Sequence, residues 1–224
     1  MPPSSVDDLT IELAPPTAVA PRSRRRPDEV FGAATQVGDG PAGDFTVFVA
    51  VTAIEAMFAH ADEFPTVETG GLLAGEHCED AEGPYLRVVA AIPARLASRT
   101  STSLTFTHDA WDELLAERER LYPDLQVVGW YHTHPGLRVF LSPDDQFIHR
   151  SFFSRPQDIA VVLDLETRQW GVFQWHGDCL ELAGQFRVYS ESPEDGVRLP
   201  HILSRFAPVE RPRNGRTPDG RGAV

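Results

Sequence analysis

The sequence predicts an α/β fold: one domain in which a mixed, largely antiparallel sheet is flanked by helices. Two observations carry that class. Runs rich in β-branched and aromatic residues alternate with amphipathic segments in the order β, α, β strands, α, β, α, β strands. A chain of 224 residues suits one domain with tails and a sizeable core. A third observation sets the limits. Residues 1–44 and those after about 190 are rich in Pro, Gly and Arg, with little apolar surface to offset ordering entropy. The expected organisation is a disordered tail over 1–44, a domain over 45–190, and a mostly disordered tail over 191–224.

Each element follows from local pattern. Val6–Leu13 alternates weakly and reads as a strand or a binding segment, and the Arg24-Arg25-Arg26 run as a solvated tail or a docking patch. Phe45–Thr52 is the first strong strand. Thr52 then caps a helix over Ala53–Ala61, with Ile54, Met57 and Phe58 on one face, and Phe64-Pro65 ends it. Glu68–Ala74 is a strand whose Gly70-Gly71 pair allows close backbone approach. Tyr85–Ile92 and Ser103–Thr107 are strands. His108–Leu121 is a helix with Trp111, Leu114, Leu115 and Arg118 at helical spacing. Gln126–His134 is a strand, Ser142–Phe153 a helix, and Asp158–Leu163, Gln169–Trp175 and Gly184–Tyr189 are strands.

Composition excludes several classes. No run of eighteen apolar residues exists, and the N-terminal residues lack a basic start followed by an apolar stretch, so neither a membrane span nor a secretory signal is expected. Cys78 and Cys179 are two and far apart, which suits a reducing cytoplasm. Cys78 beside His77 reads as a loop pair, not a metal site. The net charge is −13, and between Phe45 and Phe186 nine arginines face twenty-one acids, a balance of −12. Such a surface repels phosphate backbones, so nucleic acid is not an expected partner. All twenty basic residues are arginine. A GC-rich genome explains that economically. A protein working among lysine-modifying enzymes would also benefit from offering no lysine.

The chemistry lies in His132-Thr133-His134-Pro135, Ser142 and Asp145. On a strand, residues two apart share a face, so both imidazoles can grip one ion. Pro135 ends that strand. Ser142 is placed as a helix N-cap with Pro143 at the first helical position, and Asp145 sits in the first turn. Two histidines and one carboxylate leave an open position, the catalytic form of a zinc site. Asp144 is an ordinary first-turn acid, and His108, His149 and His176 read as structural or surface residues. Tyr131, facing the other way from the histidines, reads as core.

The unbroken pattern His132, His134, Pro135, Ser142, Asp145, preceded by Glu68-Thr69-Gly70-Gly71-Leu72-Leu73, resembles the JAMM (MPN+, JAB1/Mov34-type) metalloprotease family, with the resemblance running roughly from Phe45 to Arg187. It implies a curved sheet flanked by helices. It implies one Zn2+ held by His132, His134 and Asp145, Glu68 as general base, and Ser142 as hydrogen-bond donor to an oxyanion. Glu63 is a substitute for Glu68 that lacks the following Gly-Gly strand. The implied reaction is hydrolysis of a peptide or isopeptide bond at the C-terminal tail of a ubiquitin-like or sulfur-carrier protein, with an E1-like enzyme as a partner. The family's ubiquitin-clasping members carry two insertions. Glu76–Pro84 and Pro93–Thr102 have room for the first, and Phe153–Asp158 is too short for a large second one. The alternatives are a non-catalytic MPN-type scaffold and a hydrolase of small peptides.

Overall fold

The computed structural model of the protein describes residues 20–209 except 33, 96–97, 100–103 and 106–107. In chain order, β1 (Arg22–Ser23), α1 (Pro27–Phe31) and β2 (Thr35–Val37) precede β3 (Thr46–Ala50) and α2 (Val51–Glu63). Next come β4 (Gly70–Asp80), β5 (Gly83–Pro93), β6 (Ser98–Arg99), β7 (Leu104–Thr105), α3 (His108–Leu121) and β8 (Gln126–His134). The remainder is α4 (Pro143–Phe152), β9 (Ile159–Asp164), β10 (Gln169–His176), β11 (Cys179–Leu182), β12 (Phe186–Tyr189), α5 (Pro193–Arg205) and β13 (Ala207–Pro208).

One mixed sheet runs β11-β10-β9-β8-β4-β5-β3-β12-β2, with β1 added to β4 and β13 to β10. Bulges shift the register of β4 against both β5 and β8 near Ala74. Such insertions bend and twist a strand, which curls the sheet. Each face buries its own core. Ile54, Met57 and Phe58 of α2 and Ile202 of α5 pack with Leu73, Tyr131 and Val161. On the other face Ala110 and Leu114 of α3 and Phe153, just past α4, pack with Leu72, Trp130 and Val162. Alternation along β8 thus sends Tyr131 into the first core and Trp130, His132 and His134 to the second face. The expected α/β sandwich of a mixed sheet flanked by helices is the observed fold, but the sheet is not largely antiparallel: β1–β4, β10–β13, β12–β3, β3–β5 and β8–β9 all pair in parallel.

Several local expectations are corrected. Disorder over 1–44 and 191–224 does not describe 20–44 or 191–209. The arginines of the first segment find acids: Arg22 and Arg24 reach the buried carboxylate of Glu76 at 2.7 and 2.8 Å, and Arg26 reaches Asp80 at 2.8 Å. Arg26 is itself buried, and the Tyr85 hydroxyl donates to the carbonyls of Arg24 and Arg25. Arg24 and Arg26 are therefore tied down by ion pairs, while Arg25 between them is exposed. At the other end Ser192 caps α5, accepting from the Asp195 amide, and Phe206 is fully buried against Phe58. Val6–Leu13 and residues 210–224 lie outside the described residues. Glu76–Pro84 is no insertion; it completes the β4–β5 hairpin. The helix α2 begins at Val51 without a side-chain cap, so Thr52 lies inside it. There the burial of Val51, Ala53 and Ile54 outweighs capping preference.

Candidate metal centre and catalytic residues

β8 brings the two histidines to its C-terminal end with both rings on one face. Their Nε2 atoms lie 3.0 Å apart. The expected N-cap at Ser142 is present: its Oγ accepts from the Asp145 amide at 3.1 Å, while its own amide donates to Asp145 Oδ2 at 2.8 Å. This reciprocal box turns Asp145 toward the strand end. Its Oδ1 stands 3.4 Å from His132 Nε2 and its Oδ2 3.8 Å from His134 Nε2. All three side chains are buried, and their ligating atoms fall within 4.8 Å of one another.

The second nitrogens of the imidazoles matter as much. His134 Nδ1 lies 2.7 Å from the Arg138 carbonyl. A carbonyl only accepts, so Nδ1 carries the proton and Nε2 turns a lone pair inward. His132 stacks on the Trp130 indole, with centroids 4.5 Å apart and planes at 13°. The Trp130 N–H donates in turn to His149 Nδ1 at 3.1 Å. Burial lowers the pKa of His132. Burial opposes protonation of His134 too, but Asp145, the Arg138 carbonyl and the charge of Glu68 raise its pKa overall. Burial alone would raise the Asp145 carboxyl, yet the two imidazoles and Ser142 hold it far below the usual carboxylate range. Two inward nitrogens and a carboxylate oxygen at these distances are a donor set that a divalent cation satisfies, and zinc accepts both donor types.

Glu68 precedes β4. The ladder pairs Gly70 with His132, and Thr69 and Thr133 continue it: the Thr133 amide donates to the Thr69 carbonyl at 2.8 Å and the Thr69 amide to Thr133 Oγ1 at 2.9 Å. Continued by one residue, the register sets Glu68 opposite His134, where cross-strand side chains share a face. Glu68 is buried, at 5% exposure. Below it, Thr69 Oγ1 meets His60 Nε2 at 3.1 Å, and His60 Nδ1 meets the Tyr131 hydroxyl at 2.8 Å. This buried chain of contacts holds the Glu68 segment from the opposite face of the sheet.

The remaining candidates fall elsewhere. Glu63 is exposed at the end of α2 and Asp144 is exposed on α4. His108 and His176 are exposed beside Asp112 and Asp44. His77 pairs with Asp158 at 3.1 Å, and Cys78 is a buried free thiol. Among the described residues His132, His134 and Asp145 form the one group of three that could hold a metal ion. Sequence reading missed His60, the Arg138 carbonyl and the Trp130–His149 pair. None carries a local signal, because each acts through a contact made only in the fold.

A curled sheet between helices, with a His–His–Asp group that could hold a metal ion at the end of a central strand, defines the class of α/β domain. The chain belongs to the family described as JAB1/Mov34/MPN/PAD-1 ubiquitin protease, whose match spans residues 45–157. Among similar curated proteins, the ubiquitin carboxyl-terminal hydrolase RPN11 of Saccharomyces cerevisiae is 31% identical over 121 residues, covering 53% of this chain and 38% of that protein. The NAD(+) hydrolase TcpA of a Theionarchaea archaeon is 26% identical over 155 residues, covering 69% and 44% respectively. The chain thus spans about two fifths of the length of these relatives. The solution structure of protein DSY2949 from Desulfitobacterium hafniense aligns with a TM-score of 0.49 at 20% identity, over 66% of this chain and 97% of that one. No helix among the described residues is long and apolar enough to cross a membrane.

Proposed function

We propose that this protein is a zinc-dependent peptidase or isopeptidase that hydrolyses a bond at the C-terminal tail of a ubiquitin-like protein or its conjugate. The observation that carries the reading is the convergence of His132 Nε2, His134 Nε2 and an Asp145 oxygen, with Glu68 in register beside His134. Zinc held there supplies a Lewis acid that polarises a carbonyl and makes a water acidic enough to ionise near neutral pH. The protein's own residues then divide the work. Glu68 takes the proton of the attacking water and returns it to the leaving amine. Ser142, whose oxygen accepts from the Asp145 amide, would turn its hydroxyl hydrogen to the developing oxyanion and donate to it. Arg138 and Trp130 hold the two imidazoles in place. Family membership and the likeness to RPN11 support a ubiquitin-like substrate.

Metal content and cleavage test this together. Wild type and Glu68→Ala should carry about one zinc, and His132→Ala/His134→Ala almost none. Wild type should cleave a ubiquitin-like protein extended at its C-terminal Gly-Gly, whereas Glu68→Ala should not. Short peptides and NAD+ serve as competing substrates. Wild type that binds no zinc would remove the hydrolase reading and leave a scaffold. Equal rates on short peptides, or turnover of NAD+ alone, would remove the substrate class.

A further inference from the structure

We infer that Asp164 is a positioning residue for the metal centre, holding the loop after β8 so that the Arg138 carbonyl fixes the orientation and tautomer of His134. This rests on the reading of His134 as a metal ligand, and Asp164 itself stands outside the donor group.

The parallel ladder pairs His134 with Asp164, so the last residue of β9 lies beside the last residue of β8. Asp164 is completely buried. A buried carboxylate must be neutralised by donors, and this one has four. Its Oδ1 accepts from the amides of Gly136 at 3.1 Å and Glu166 at 3.0 Å. Its Oδ2 accepts from the Arg138 amide at 3.1 Å and the Thr167 hydroxyl at 2.7 Å. Burial would raise its pKa, but Thr167 and the surrounding amides outweigh that and lower it, so the group is an anion at neutral pH.

The two loop contacts fall where the chain most needs them. Between His134 and the α4 cap, Gly136 has φ +83° and Arg138 has φ +72°. The second is a left-handed conformation that a side chain bigger than glycine seldom adopts. Both amides point at one carboxylate, and that geometry directs the Arg138 carbonyl back onto His134 Nδ1 at 2.7 Å. The anion thus orders the loop, the loop presents an acceptor, and the acceptor keeps the lone pair of Nε2 facing inward. Outer partners of this kind typically change metal affinity 10–100-fold when lost.

Asp164→Asn is close in volume but sets an NH2 group among N–H and O–H donors. On this variant and wild type, zinc affinity is measured by chelator competition, and the His134 tautomer by nitrogen-15 NMR of the metal-free protein at a pH high enough for the spectrum to show the neutral ring. The expected result is a folded variant with zinc bound about 10–100-fold more weakly and loss of the single Nδ1–H tautomer. Unchanged affinity and tautomer in a folded variant would overturn the inference. If the variant does not fold, metal-free wild type decides. Nδ1–H on His134 with slowly exchanging Gly136 and Arg138 amides supports it, and an Nε2–H tautomer or fast exchange refutes it. Wild type that binds no zinc refutes the ligand reading instead, and leaves the tautomer measurement to judge the role of Asp164.

Discussion

His149 should make this protein lose stability as pH falls from neutral, in a way that one substitution removes. The ring is completely buried. Its Nδ1 accepts from Trp130, so Nε2 carries the proton, and Nε2 has no partner among the described residues. An imidazolium there would be desolvated and next to Arg150, and burial first, then that charge, pushes the pKa down to about 3. In the unfolded chain the ordinary value is about 6.5. Between those values the unfolded state binds the extra proton, so stability rises with pH. The contribution is complete above about pH 6.5 and is lost progressively as pH falls toward 3. The slope reaches about 1.4 kcal/mol per pH unit. From pH 7 to pH 5 the loss works out at about 2 kcal/mol, and over the whole window at about 5 kcal/mol. His149→Gln keeps an acceptor for Trp130 and cannot titrate. Urea unfolding of both proteins, stripped of metal and followed by tryptophan fluorescence, isolates the effect, since the other histidines contribute equally to each. The variant should lose about 2 kcal/mol less than wild type between pH 7 and pH 5. Parallel stability curves would refute the reasoning.

Further outcomes follow from the site and the sheet. Glu68→Gln should keep its zinc and lose on the order of 10²–10⁴-fold in cleavage rate; an unchanged rate in the presence of bound metal would remove Glu68 as the base. Ser142→Ala should cost about 1 kcal/mol of stability through the lost cap, and on the order of 3 kcal/mol of transition-state stabilisation. A stability loss with no change in rate would leave Ser142 as a cap only. Gly71→Ala would set a methyl group 2.1 Å from the Ile92 carbonyl oxygen and 2.9 Å from the Tyr131 ring. Thermal unfolding should then show a loss of about 1–3 kcal/mol.

What could be read from the sequence was local. The bounds of β8 and α3 coincide with the expected ones, because each has a clean period and a clear stop at Pro135 or after Leu121. The grouping of His132, His134 and Asp145 was legible for the same reason: all three lie within one strand–loop–helix unit. The larger misses are long-range. Continuing β4 to Asp80 places Glu76, Glu79 and Asp80 in a strand, against their usual preference, and the fold permits it because arginines fifty residues earlier meet two of those acids. The helix α5 shows the same dependence. Its composition suggests a tail, but Ile202 within it and Phe206 just beyond it complete the core against α2. The short β11 was not expected from the sequence, and antiparallel pairing with β10 makes it a strand.

The arginine arm and the β8–β9 ladder bear on where this protein can be cut. The family match runs from 45 to 157, yet Glu76 draws three of its ionic partners from Arg22, Arg24 and Arg87, two of them upstream of that span. Downstream, the match stops just before Ile159, the first residue of the strand that flanks the histidine-bearing one. A fragment trimmed to the matched span would strand a buried carboxylate at one end and expose a central strand edge at the other. The inherited signature is therefore shorter than the folding unit, and recombinant fragments of this protein should be bounded by the arm and by Phe206.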